Sequence, residues 1–133
     1  GADFTLAALE DGAVMGWGAS WEGSLGAGLA ETTTNRPIRI RAYDSDTRLV
    51  EVRNTILVAA GDLHSLALTA DGHVMSWGGN WYGELGFGVV RTTGGVLPGL
   101  RSSAGAVPFE DEGPATKIAA GGNRSFAIRA IPE

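Results

Sequence analysis

The sequence predicts an all-β protein assembled from repeated units of four short antiparallel strands, and three observations carry the prediction. The chain matches itself without a gap at a shift of 60 residues. Each copy holds two strand-like runs joined by an Asp-Gly turn, the signature of a tight hairpin in which glycine takes a positive φ. Twenty-one glycines in 133 residues, with no sustained 3.6-residue periodicity, argue against helices.

The repeat is dense. Gly1, Gly61 and Gly121 fall in step, Leu6-Ala7 stands over Leu66-Ala67, and Asp11-Gly12 over Asp71-Gly72. Val14-Met15 and Trp17-Gly18 match Val74-Met75 and Trp77-Gly78, and Trp21 matches Trp81. Gly23, Leu25, Gly26 and Gly28 then match Gly83, Leu85, Gly86 and Gly88, and Thr32-Thr33 matches Thr92-Thr93. Ala59-Ala60-Gly61 recurs as Ala119-Ala120-Gly121, with Ser65 and Ala67 recurring as Ser125 and Ala127. A fixed period of this size is the mark of an array in which each unit is one supersecondary element stacked on the next.

Within a repeat, residues 56–60, 65–69 and 74–77 read as short strands, and 37–42 alternates Ile38 and Ile40 against Arg39 and Arg41, a half-buried strand with a basic outer face. Four short strands per repeat is the content of a β-propeller blade. Because 60 residues exceed the roughly 40 to 50 of commoner blades, an added loop is expected at 42–54 and at 99–113. The expected division is residues 1–60 as a first propeller repeat lacking its opening strand, 61–120 as a second, and 121–133 as the start of a third, a closing strand. That makes about two blades per chain: a partial propeller, or a ring completed by other copies.

The run from Ala59-Ala60-Gly61 through His64-Ser65-Leu66-Ala67-Leu68, Asp71-Gly72, Trp77-Gly78 and Gly83-Glu84-Leu85-Gly86 resembles the repeat of the regulator of chromosome condensation family. The likeness covers essentially the whole chain, twice. Phe4-Thr5 and Arg124-Ser125 stand where that family favours His-Ser, Ser20 replaces the loop asparagine kept at Asn80, and Ser24 and Glu84 replace a usual glutamine. The family includes an exchange factor for a small nuclear GTPase and a bacterial inhibitor of β-lactamases. Those activities depend on loops across a seven-bladed ring, so the resemblance implies the fold and transfers neither activity to particular residues here.

Composition narrows the function classes. A net charge of -5, with Arg36, Arg39 and Arg41 as the only basic knot, is not a nucleic-acid footprint. No apolar run approaches bilayer-spanning length and nothing reads as a signal peptide. The opening at Gly1 is read as a processed or trimmed boundary. With no cysteine there is no disulfide or thiolate, and two histidines make no zinc set, so no catalytic residue, metal or cofactor is expected.

Single residues add little chemistry. His64 adjoins Ser65, but neighbours in a strand point to opposite faces, so the pair is not a nucleophile and its base; His64 is expected to be structural. His73 belongs to the hairpin turn and is expected in solvent. The glycine loops 23–28 and 83–88 lack the order and following helix of a phosphate cradle. Asp44-Ser45-Asp46 lacks the glycine and distal glutamate of a calcium loop, and Glu110-Asp111-Glu112 reads as a solvated acidic loop with the option of a basic partner. Asn123-Arg124-Ser125 fits a glycosylation sequon. Trp17 and Trp77 end strands and are expected to wedge between blades, whereas Trp21, Trp81 and Tyr82 sit in the following loops. Those three are the candidate partner-binding residues, with packing on the next blade as the other reading.

The favoured function is a non-catalytic module that presents propeller loops to another protein. An enzyme or enzyme inhibitor whose site forms only in an assembled ring, and a sugar-binding propeller, are the alternatives. Partners are expected to include self-association or the remainder of a longer propeller, because the two ends carry unfinished blades.

Overall fold

The computed structural model describes residues 1–26, 32–43, 49–86, 100–106 and 113–130, with the backbone alone at 32, 42–43, 49–50 and 100–106. These residues form three sheets. The first contains β1 (Phe4–Ala8), β2 (Val14–Ser20) and β3 (Thr32–Arg39), in that order. The second has four antiparallel strands, β6 (Thr55–Ala60), β7 (His64–Thr69), β8 (Val74–Gly79) and β9 (Leu100–Ala106), extended at the β9 edge by β4 (Arg41–Tyr43) and β5 (Leu49–Glu51). The third pairs β10 (Ala115–Gly121) with β11 (Arg124–Arg129). The described helical content is one 3-10 turn, Trp21–Gly23.

The 60-residue period of the sequence is a period of the hydrogen bonds. Phe4 pairs with Gly18 and Ala8 with Val14, while His64 pairs with Gly78 and Leu68 with Val74. β10 and β11 repeat the register of β6 and β7, including a bulge at the same place. The glycines at 12, 18, 23 and 26 have positive φ, as do those at 72, 78, 83 and 86. At Gly78 the reason is visible: φ is 99° and a Cβ would lie 2.5 Å from the Leu63 carbonyl oxygen, which accepts the Gly79 N–H.

Because strand side chains alternate, the second sheet has two faces, and both are covered. Ala67 and Trp77 pack with Val14, Ile40 and Val52. On the opposite face Leu66, Leu68 and Val74 pack with Ala115, flanked by Ile118, Ala120 and Ala127 of the third sheet. All of β7 up to Leu68 is therefore buried. The sheets are stacked face to face, as blades are.

Two expectations about the chain path need correction. The regions 42–54 and 99–113, expected as loops, hold most of β4 and all of β5 in the first repeat and all of β9 in the second. The cause is a displacement of the outer strand. Met15 pairs with Arg39, but its repeat counterpart Met75 pairs with Ala106, so the outer strand comes seven residues later in the second copy. The Thr92-Thr93 match, which pointed to the other offset, falls outside the described residues. In the first copy β4 instead pairs with β5 and joins β9 through the parallel pair Ala42 and Ala104, which covers an otherwise open sheet edge. The strand expected over 37–42 breaks at Ile40, whose N–H donates to the Val14 carbonyl (2.9 Å) and whose carbonyl accepts the Val52 N–H (3.0 Å). Its alternation persists, with Ile40 buried and Arg39 and Arg41 exposed.

Candidate functional site

The loops that follow β2 and β8 are built alike. The Ser20 hydroxyl accepts the Leu25 N–H at 3.0 Å, and the Asn80 side-chain carbonyl accepts the Leu85 N–H at 3.0 Å. Leu25 and Leu85 are fully buried, so each loop is pinned at its centre. Each loop also docks on the next sheet. The Ser24 carbonyl accepts from the Ser65 hydroxyl (2.7 Å) and from Trp77 Nε1–H (2.8 Å), and the Glu84 carbonyl accepts from the Ser125 hydroxyl (2.7 Å). These contacts span 41 to 53 residues and lock neighbouring sheets together.

Rigid bases of this kind leave the first loop residues facing water. Trp21 is 47% exposed, Trp81 44% and Tyr82 73%. The turns that precede β1 and β7 lie at the same end of the sheets, since Ala19 N–H donates to the Asp3 carbonyl and Gly79 N–H to the Leu63 carbonyl. They add the exposed Asp3 and Asp62. The rim therefore combines large aromatic surfaces one repeat apart with carboxylates.

Trp17 and Trp77, expected to end strands, lie inside β2 and β8, and they differ from each other. Trp77 is fully buried, but Trp17, expected at an equivalent buried position, is only half-buried. Trp77 has the first sheet and the Ser24 carbonyl over it, whereas no sheet among the described residues covers the corresponding face of Trp17.

His64 is buried, 1% exposed, in keeping with a structural role. What the sequence reading missed is its partner. His64 Nε2 lies 2.8 Å from Ser125 Oγ, from the next repeat, at the distance of a base from a nucleophile. The Ser125 proton is committed to the Glu84 carbonyl, and the other ring nitrogen, Nδ1, has no orienting hydrogen bond, so the pair lacks the polarity of a catalytic dyad. The recurrence of Ser65 as Ser125 was the available signal, because both hydroxyls perform one docking task. Burial lowers the His64 pKa below 6.5, outweighing the pull of Glu84, the Arg124 backbone and Asp62.

His73 is exposed in its turn, with Nδ1 3.1 Å from Asp71 Oδ2. Hydrogen bonds from Thr69 and His73 lower the Asp71 pKa. Of the arginine knot, Arg39 pairs with Glu51 at 3.4 Å, as does Arg53 at 3.6 Å. Asn123 is exposed, while Asp44-Ser45-Asp46 and Glu110-Asp111-Glu112 lie outside the described residues. Among the described residues no three His, Asp or Glu side chains converge to hold a metal, and no helix is long and apolar enough to cross a membrane.

Comparison with known proteins agrees with this geometry. Residues 56–84 match the family model of the regulator of chromosome condensation (RCC1) repeat. Over 128 residues the chain is 34% identical to the human probable E3 ubiquitin-protein ligase HERC6, a match spanning 96% of the chain and 11% of that protein. It is 33% identical to the mitochondrial RCC1 domain-containing protein RUG3 of Arabidopsis thaliana, over 96% of the chain and 25% of the relative. The crystal structure of Prp20p from Saccharomyces cerevisiae superposes with a TM-score of 0.64 and 27% identity, covering 90% of this chain and 25% of that one. The chain thus spans a quarter or less of each of these three proteins. With repeat, register and likeness in agreement, the chain belongs to the regulator of chromosome condensation repeat family and is built from its β-propeller blades.

Proposed function

We propose that this chain is a non-catalytic protein-binding part of a propeller, whose rim loops carry the contact. The observation that supports it most is the placement of Trp21, Trp81 and Tyr82, solvent-facing on loops whose centres and far ends are held by buried hydrogen bonds. Pre-ordered aromatic anchors lose little freedom on binding, which is how a small patch reaches useful affinity. The yeast neighbour is described by its binding to Gsp1p and histones, so protein recognition has precedent on this scaffold. The ligase activity in the name of HERC6 belongs to a protein of which this chain matches 11%, and it is not carried over.

The outer face of the third sheet supports a second part of the reading, completion by further blades. Phe126 and Ile128 are 59% and 60% exposed, whereas their repeat counterparts Leu66 and Leu68 are 2% and 0%. A ring made only of whole copies meets an obstacle, because β11 is the repeat counterpart of β1 and each junction would hold that strand twice. Further repeats of the same kind fit the open face without displacement.

The test is quantitative affinity capture with the wild type and with Trp21→Ala/Trp81→Ala/Tyr82→Ala. A protein enriched by the wild type and lost from a triple variant of unchanged melting temperature supports the rim. Equal capture by both would move the contact elsewhere.

A further inference from the structure

We propose that His64 makes the joint between the second and third sheets acid-sensitive, while the joint between the first and second sheets, where Phe4 holds the same place, is not. The two joints share three contacts. In each, a serine hydroxyl reaches back to a loop carbonyl, Ser65 to Ser24 and Ser125 to Glu84. In each, a backbone N–H crosses near the hairpin turn, Thr55 to the Gly12 carbonyl at 3.0 Å and Ala115 to the Gly72 carbonyl at 2.9 Å. In each, a ring lies over a glycine that leaves no room for a Cβ, Phe4 over Gly1 and His64 over Gly61.

At the ring position the difference is one proton. The Ser125 hydroxyl donates to the Glu84 carbonyl and so must accept from His64 Nε2–H, which assigns the neutral tautomer with a bare Nδ1. That Nδ1 is buried with no hydrogen-bond partner among the described residues. A second proton there would create a cation in a ring site that is 1% exposed, with the Arg124 backbone as the one acceptor drawing on it. Glu84 from the loop after β8 and Asp62 from the turn before β7 draw positive charge toward the ring, as does the Arg124 backbone at the start of β11, but burial opposes them and prevails. Protonation therefore favours a ring that has left its seat, and leaving breaks the contact with Ser125. Phe4 offers no site for a proton, so the first joint is a built-in control.

The sign follows from linkage. With the folded pKa lowered, the opened form binds more protons than the closed form, so closure is strongest above pH 6.5 and weakens as pH falls below it. An exposed imidazole of pKa 6.5 raises the opening equilibrium up to about tenfold at about pH 5.5. Amide hydrogen exchange by NMR, corrected for intrinsic rates, reads this at single residues. On acidification, the opening equilibrium at Asp62 and Ala115, whose acceptors Gly122 and Gly72 lie in the hairpin turns of the third and second sheets, should rise up to about tenfold while that at Thr55 stays level. In His64→Phe all three should stay level. A response that persists in His64→Phe, or an equal response at Thr55, overturns the proposal. So does a wild-type His64 ring that titrates at the ordinary value of 6.5 with protection unchanged, a measurement that needs no variant.

Discussion

Replacing Trp77 with alanine removes the largest fully buried side chain among the described residues. Its indole fills the space between Val14, Ile40, Val52 and Ala67, where two sheets meet, and collapse there requires the sheets themselves to move. Truncation of such a group costs about 3–5 kcal/mol. The lost Nε1–H bond adds about 1 kcal/mol at most, because the Ser24 carbonyl keeps its bond from the Ser65 hydroxyl and is not orphaned. Trp17, half-buried, should cost about 1–2 kcal/mol on the same substitution, and Trp81, 44% exposed, about 1 kcal/mol or less. Urea titrations followed by far-ultraviolet circular dichroism give all three from midpoints at constant slope. Thermal melts should place Trp77→Ala about 10–15 °C below the wild type, at roughly 3 °C per kcal/mol for a chain of this size. Equal costs for Trp17→Ala and Trp77→Ala, or a Trp77→Ala value within about 1 kcal/mol of Trp81→Ala, would refute the assignment of Trp77 as the wedge between blades.

Two further substitutions use the repeat as its own control. Gly61→Ala should destabilise by about 2 kcal/mol or more, since its Cβ meets the His64 ring, while Gly121→Ala, with nothing within 4 Å, should stay within about 0.5 kcal/mol in the same titrations. Asn80→Ser should be mild, about 1 kcal/mol or less, because Ser20 makes the equivalent bond in the first loop, whereas Asn80→Ala should cost about 1–3 kcal/mol by leaving the Leu85 N–H unpaired. Matching melting temperatures for the two Asn80 variants would show that the side-chain bond does not hold the loop.

The inner strands of each blade were legible because their punctuation is chemical. Asp11-Gly12 and Asp71-Gly72 demand hairpins, whereas Trp17-Gly18 and Trp77-Gly78, read as strand ends, lie inside β2 and β8 at register shifts where the chain takes positive φ. The outer strand was not legible. Leu100–Ala106 reads Leu-Arg-Ser-Ser-Ala-Gly-Ala, with neither clear alternation nor β-branched residues, and its place is set by pairing to β8 rather than by its own preference. Alternation at Ile38 and Ile40 did identify a buried and an exposed face, yet it could not reveal the break at Ile40, which depends on bonds to Val14 and Val52. In the candidate site, loop position alone separated the exposed Trp21 and Trp81 from the buried Trp77. The half-exposure of Trp17 depends on which sheet covers it, a tertiary fact. The same holds for His64, whose role is set by a serine 61 residues away rather than by its neighbour Ser65.

Static light scattering of the chain, beside its Phe126→Asp/Ile128→Asp variant, tests the stacking account most directly. If the outer face of the third sheet is a blade-to-blade surface like the one Leu66 and Leu68 form, the wild type should associate to a mass above 13.7 kDa and the variant should fall toward it. A folded 13.7 kDa monomer for both proteins would contradict it.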